Sequence, residues 1–376
     1  MKVMTLVGTR PEIIKLSCVI PELDRATRHV LVHTGQNYDY ELNQIFFDGL
    51  GLRKPDHFLD AAGPTAAQTI ANVIAKSDEV MRGEKPDAFL LLGDTNSSLA
   101  VIAAKRLKIP IFHMEAGNRC FDERVPEEVN RRIVDHVSDI NLVYSEHARR
   151  YLLAEGIRAE TVLKTGSPMK QVLTRHAAAI DASQVLKKLG LERGKYFAVS
   201  SHREENVDDE GRFTELLGAL TALRSQYGLP VLVSTHPRTR KRLEALGKRA
   251  PSDIRFMPPL GFADYVQLQK SALCVLSDSG TLTEEASIVG FAGVMLREAH
   301  ERPEGMDEGT VIMAGTRPER ILEVVKVATE RFAGAGRTWC VAPDYDVDDV
   351  ASKVVNTILG YTDYVNRTVW RRSSHS

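Results

Sequence analysis

The chain has 376 residues, 43% of them hydrophobic and 26% charged, with a formal net charge of -1. That length exceeds the ~250–300 residues at which a single core stops growing, so two domains are expected. The near-neutral balance excludes a generic nucleic-acid or anionic-membrane binder, and no segment approaches the ~18 apolar residues of a membrane span.

In chain order, the first half offers the strand candidates KVMTLVG, HVLVHTG, AFLLLG, IPIFHME, INLVYS and TVLKTG. Helical patterns alternate with them, among them PEIIKLSCVIPELD, TAAQTIANVIAKSDEVM and SLAVIAAKRLK. The opening MKVMTLVGTRPE reads as a first strand and not as a signal peptide, because no small-residue cleavage site follows its apolar run. Around 168–195 the pattern turns into a polar helical stretch ending in GLERGKY. Alternation then restarts with YFAVSSH, PVLVSTH, IRFMPPL, LCVLSD and GVMLRE. Strand, helix, strand at these lengths predicts two Rossmann-like, doubly wound α/β domains with parallel sheets. The domains are placed at 1–168 and 169–360, with a helix or arm over 361–376. The four cysteines, Cys18, Cys120, Cys274 and Cys340, lie far apart with no CxxC pair and no histidines at metal spacing. They predict buried thiols at 18 and 274, no disulfide framework, no metal site and a cytoplasmic protein.

Open parallel sheets bind ligands beyond the carboxyl ends of their strands. Those ends read GTRPE (8–12), TGQN (34–37), GDTN (93–96), HMEAG (113–117), SHREEN (201–206), THPRT (235–239) and SDSGT (277–281). Polar and Gly-rich ends in both halves predict one site in a cleft between the two domains.

Each stretch has a chemical reading and a plainer one. GTRPEIIK puts Arg10 and Lys15 on an early helix whose unpaired N–H groups suit an anion; an ordinary capped turn accounts for the same residues. SDSGTLTEEAS offers Ser279 and Gly280 as donors to a diphosphate, with Glu285 about two turns inside the helix and able to accept from a ribose diol. Its plainer reading is a Ser cap followed by exposed glutamates. His202 and His236 each follow a strand end, where a histidine donates to phosphate or moves a proton. Asp94 is either a helix cap or an acid–base group, and Thr95 or Asn96 could cap in its place. Glu115 is a poor cap with Ala-Gly behind it. Glu127 and Arg131, and likewise Glu128 and Arg132, have the i,i+4 spacing of a helix-surface ion pair, so one pair could face solvent and the other the site. Carboxylates gathered in one cleft would push at least one pKa upward by mutual repulsion. No G-x-G-x-x-G fingerprint is present, which argues against a nicotinamide enzyme.

Taken together, GTRPEIIK, GDT, HMEAGNR, PEEVNRR, HREEN, DSGTLTEE and ERPEG resemble, in order and across nearly the whole chain, the non-hydrolysing UDP-N-acetylglucosamine 2-epimerase family. The resemblance implies a glycosyltransferase-B-like fold, a homodimer, a C-terminal helix packing back on the first domain, and UDP held in the interdomain cleft without metal or cofactor. It implies elimination of UDP by removal of the C2 proton, a 2-acetamidoglycal intermediate, and re-addition after reprotonation on the opposite face. Position by position, it implies Asp94, Glu115 and Glu127 as acid–base groups, Arg131 as their positioner and His202 as the stabiliser of departing diphosphate. Arg10, Ser279 and Gly280 match diphosphate contacts, Glu285 the ribose contact and Lys15 a helper of open role.

The chain departs from the family pattern in two places: TGQN (34–37) stands where TGQH is common, and DSGTLTEE replaces DSGGIQEE. Asn37 falls where bacterial members hold an activating second UDP-sugar. TGQNYDYEL, HMEAGNRCFD and REAHERPEGMDE resemble the subgroup that epimerises UDP-2-acetamido-2,6-dideoxy-L-talose to UDP-N-acetyl-L-fucosamine for surface polysaccharides, capsule and O-antigen among them. In that reading Asn118, usually leucine in relatives acting on GlcNAc, helps read the sugar. UDP-GlcNAc/UDP-ManNAc interconversion is the other substrate expectation. A retaining UDP-sugar glycosyltransferase and a hydrolysing epimerase are the alternative activities.

Overall fold

Short apolar runs without polar alternation call for strands covered on both faces, and the described residues form thirteen strands in two parallel sheets. The computed structural model describes residues 1–36, 46–201, 203, 206, 209–235, 237–245, 254–335 and 340–372. By contacts it divides into two units, Met1–Arg175 with Asp344–Ser376, and His176–Pro343.

The first unit carries β1 (Lys2–Val7), β2 (Arg28–His33), β3 (His57–Phe58), β4 (Ala88–Leu92), β5 (Ile111–Ala116), β6 (Ile140–Val143) and β7 (Val162–Lys164). Their order is β3-β2-β1-β4-β5-β6-β7, and the neighbours pair in parallel. The chain reverses its direction of winding between β1 and β4, the switch point where such sheets open a crevice. Met4, Leu6, Phe89 and Leu91 bury one face against Val73, Val101 and Ala104 of the flanking helices.

The second unit repeats the scheme with β8 (Phe197–Ser200), β9 (Val231–Ser234), β10 (Ile254–Met257), β11 (Cys274–Ser277), β12 (Gly293–Met295) and β13 (Val311–Met313). The order is β10-β9-β8-β11-β12-β13, which puts the switch point between β8 and β11. Strand alternation is visible in its core. Phe197 and Val199 pack with Leu216, Leu220 and Val324 on one face, while Tyr196 and Ala198 pack with Leu268 and Leu282 on the other.

Three local features differ from the sequence expectation. PEIIKLSCVIPELD is two helices, Arg10–Leu16 and Val19–Ala26. Pro21 lacks the N–H that would bond to Ser17 and its ring would strike that carbonyl, so the break falls at 17–18. Strands β3 and β13, edge strands of two and three residues, are absent from the expected set. The last helix runs Val350–Thr368 and so begins ahead of 361; Asp349 caps it by accepting from Ser352 N–H, and it packs on Val19–Ala26. Among the described residues, no helix is long and apolar enough to cross a membrane. Cys18, Cys120 and Cys274 are buried free thiols and Cys340 is exposed.

Candidate active site

At the end of β1 the chain turns into the helix Arg10–Leu16 through a capping box, with Thr9 as cap and Glu12 reaching back. One Glu12 oxygen accepts from Gly8 N–H (2.5 Å) and Thr9 N–H (3.2 Å), and the other accepts from Thr95 Oγ1 (2.8 Å). Thr95 in turn caps the 3-10 turn Asn96–Ala100. Glu12 therefore laces the turns after β1 and β4 together at the switch point, and Asp94 is released from capping duty. Arg10, at the first helical position, lies over the Phe46 ring, 5.6 Å from its centroid.

Lys15 and Glu115 meet. Lys15 is only 3% exposed, and its Nζ lies 2.6 Å from Glu115 Oε2 and 5.6 Å from the centre of the Tyr144 ring. Glu115 is reached through a break in register: Met114 pairs with Leu142 and Ala116 with Val143, leaving Glu115 extra. Its φ is +66°, a left-handed conformation that costs a glutamate ~1–2 kcal/mol. Gly117 follows at φ +79°, and a Cβ there would stand 2.6 Å from the Ala148 carbonyl oxygen. A residue with a side chain could not make that turn.

Asp94 meets Arg131. Arg131 Nε donates to Asp94 Oδ2 (2.7 Å) and Nη1 donates to Glu128 Oε2 (3.0 Å). Asn130 Nδ2 donates to the Asp94 carbonyl (2.9 Å), so two neighbours on the helix Pro126–Val137 grip the end of β4. Glu127 sits partly buried in the first turn of that helix. Asn118 is buried, and its carbonyl accepts from Arg119 Nη1 (2.8 Å).

Of the two i,i+4 pairs, the one with Glu128 does not face solvent through its acid: Glu128 is 0% exposed, accepts from Cys120 and Phe121 N–H, and takes Arg131 at i,i+3. Burial alone would raise its carboxyl pKa, but the Cys120 N–H and the Arg131 charge outweigh burial and hold it below the usual range. The loop 118–125 folds back over the helix start, which spacing along the helix does not disclose. Arg132 is the half-exposed member, 3.0 Å from Glu123 and 3.7 Å from Glu128. Among the described carboxyls at these turns, Glu12 is pushed up to about 7 by burial against the opposing bonds from Thr95, Gly8 and Thr9, and not by repulsion from another carboxylate.

A pH prediction follows from Glu12. Its native pKa stands above the 4.5 of an unperturbed glutamate, so between those values the folded protein holds the extra proton. The contribution to stability is present in full below pH ~4.5 and is lost as pH rises through ~7, a change of about 3 kcal/mol. Urea unfolding of wild type and Glu12→Gln at pH 5 and pH 8 should show the wild type losing more stability on going to pH 8. Equal losses would contradict it.

In the second unit, Asp278 ends β11 fully buried and laces the switch point as Glu12 does in the first. Its Oδ2 accepts from Ser201 Oγ (2.8 Å), Arg203 N–H (3.1 Å) and Asn206 Nδ2 (3.1 Å). Ser279 Oγ lies 3.0 Å from Thr281 Oγ1, and Gly280, not Ser279, is the residue that caps the helix Thr281–Glu285. A Cβ at Gly280 would come within 2.7 Å of Glu301 Oε1. Glu285 ends that segment ~1.4 turns in, not two, and accepts from Gln269 Nε2 (2.6 Å). His202, His236 and Asn37 lie outside the described residues. Seven of the expected residues thus lie in the first unit (Arg10, Lys15, Asp94, Glu115, Asn118, Glu127 and Arg131), and three beyond β11 of the second.

Sequence reasoning passed over Glu12, although T-R-P-E at 9–12 is a legible capping box. It also passed over a buried network of His113, Asp135 and Arg119, for which no spacing signal exists.

Fold and strand ends define a two-domain, doubly wound α/β enzyme with carboxylate–cation pairs at a switch point. The family model described as UDP-N-acetylglucosamine 2-epimerase matches residues 21–359. A structure of UDP-N-acetylglucosamine 2-epimerase from Rickettsia bellii is 54% identical, with TM-score 0.91 over 99% of this chain and 100% of that one. The Methanocaldococcus jannaschii UDP-GlcNAc 2-epimerase in complex with UDP-GlcNAc and UDP is 30% identical, with TM-score 0.89 over 96% and 100%. A UDP-2,3-diacetamido-2,3-dideoxy-D-glucuronate 2-epimerase from Pseudomonas aeruginosa is 34% identical over 87% of this chain and 92% of its own. The chain belongs to the UDP-N-acetylglucosamine 2-epimerase family and is an isomerase, an epimerase of UDP-sugars.

Proposed function

We propose that the protein inverts C2 of a UDP-2-acetamido sugar by eliminating and re-adding UDP. The observation that carries this reading is the pair of carboxylates, Glu115 on Lys15 and Asp94 on Arg131, at neighbouring strand ends. A C2 proton is not acidic enough for simple abstraction, so a carboxylate base must act while the C1–O bond to the diphosphate breaks. A carboxylate takes the C2 proton, the electron pair forms the C1–C2 double bond, and UDP leaves with the C1–O electrons. In the return step UDP adds to C1 of the 2-acetamidoglycal, and an acid delivers a proton to the other face of C2. Glu115, Asp94 and Glu127 supply base and acid, and Arg131 holds Asp94. Arg10, Ser279, Gly280 and His202 take the diphosphate, Glu285 the ribose, and Asn118 and His236 further substrate contacts.

The sugar is UDP-2-acetamido-2,6-dideoxy-L-talose, on the strength of HMEAGNRCFD and REAHERPEGMDE. The specific support for UDP-GlcNAc as substrate is the similarity to the Rickettsia bellii protein. Either product would feed bacterial surface polysaccharide synthesis in the cytoplasm. A homodimer fits the exposed Val129 and Ile133, four apart on one face of the helix Pro126–Val137.

Each sugar incubated with enzyme in D2O should be read by NMR for deuterium at C2. Exchange with the 6-deoxy-L-talo sugar alone supports the first substrate, and exchange with UDP-GlcNAc alone the second. No exchange with either ends the reading, and free sugar with UDP would mark a hydrolysing enzyme.

A further inference from the structure

Glu115 keeps a left-handed backbone that its residue type disfavours, and such a conformation persists only where its surroundings over-determine it. Its flanks are held on both sides. Upstream, the Met114 carbonyl accepts from Gly93 N–H (3.0 Å). Downstream, Gly117 N–H points between the two oxygens of Asp135, 3.2 Å from each. Asp135 also accepts from Arg119 Nη1 (2.7 Å) and lies 3.0 Å from His113 Nδ1. The other ring nitrogen of His113 is 2.9 Å from the Gly93 carbonyl.

These contacts close a ring: Asp135 to Gly117, along the chain through Glu115 to Met114, across to Gly93, and back through His113. Gly93 is the residue before Asp94. The ring passes through both carboxylate turns while touching neither carboxylate. Asp135, His113 and Arg119 are all buried, and no step of the proposed reaction uses them. Burial would raise the Asp135 carboxyl pKa, but His113 and Arg119 outweigh it and hold the group below its ordinary range. A permanently charged acceptor suits a structural anchor better than a proton shuttle.

We infer that Asp135 is a positioning residue for catalysis, fixing Glu115 in its left-handed turn through Gly117 N–H, and that His113 couples this anchor to the Asp94 turn. The inference rests on the reading of Glu115 as an acid–base group. Asn at 135 keeps one acceptor for Gly117 but turns a donor amide toward a cluster of donors, so the turn relaxes while the fold keeps its volume. A misplacement of ~1 Å at a reacting group costs on the order of 10²-fold.

The test is a double-mutant cycle on Glu115→Asp, which retains a carboxylate with a shorter reach. Turnover is normalised to UDP-binding sites counted by calorimetry, so loss of folded protein does not enter. Asp135→Asn alone should lower kcat by about 10- to 100-fold, with KM and UDP affinity within about twofold. Placed on Glu115→Asp, it should add less than about twofold, because it acts through the same group. His113→Gln, which keeps a donor for Gly93 but loses Asp135, should lower kcat less and show the same masking; it decides the matter if Asp135→Asn does not fold. Losses that multiply in full, or a change confined to KM, would overturn the role of Asp135. If Glu115→Asp by itself turns over as wild type, the reading of Glu115 fails and the inference with it, a distinct result visible in the single variant.

Discussion

Glu115→Gln should lower kcat/KM by about 10²- to 10⁴-fold, the range for removal of a positioned acid–base group, while UDP binds within about twofold of wild type. The glutamine fills the same volume, so the bulge after Met114 can persist, but no proton can be taken up at Oε2. A second effect accompanies the first. Lys15, buried beneath Glu115, loses its carboxylate, and breaking a buried ion pair from one side costs about 3–5 kcal/mol, less here because Glu115 is partly exposed. The double variant Glu115→Gln with Lys15→Met separates the two. It should regain stability in urea unfolding and remain inactive. Recovered turnover in the double variant would mean that the single change had acted through stability and not through chemistry.

Arg131→Met should cost both stability and activity. Arg131 is 2% exposed and bridges the two carboxylates Asp94 and Glu128. Arg132 stands 3.7 Å from Glu128 with its side chain 43% exposed, a poor substitute. Loss of about 3–5 kcal/mol is expected in urea unfolding, with kcat down about 10²-fold in the folded fraction because Asp94 swings free. Arg131→Lys separates charge from shape. An ammonium is a point charge that cannot fork to both acids, so most of the kcat loss should remain while part of the stability returns. Full activity in the lysine variant would assign Arg131 a purely electrostatic part.

Legibility followed physics. Eleven strands could be read because buried parallel strands are continuous apolar runs, and the polar residues that end them mark where ligands go. Asp94 and Glu115 were visible on that ground, and Arg131 through its helical spacing from Glu127 and the family resemblance. Lys15 was visible only as a nearby cation, since its meeting with Glu115 spans 100 positions of sequence. Spacing left the placement of Glu128 open because i,i+4 describes a free helix surface, and a returning loop buries this one. The bulge at Glu115 left one trace, the glycine two residues on, but its geometry depends on Asp135 eighteen residues after Gly117. Helix length failed at Pro21 because periodicity does not register a missing N–H.

The buried cysteines make the chain a reporter of its own breathing. Thiolate, not thiol, reacts with alkylating reagents, and burial raises the pKa of Cys18, Cys120 and Cys274, the last to about 12. Cys340 on the surface is modified without any opening, and so serves as the internal reference. Cys18 lies between the first two helices, Cys120 touches Glu128 at 3.3 Å, and Cys274 begins β11, one of the two central strands of the second sheet. Native-state labelling followed by mass spectrometry would therefore time three local openings in one unmutated sample. Cys120, beside the Arg131 network, would respond first to any ligand that tightens the acid–base region.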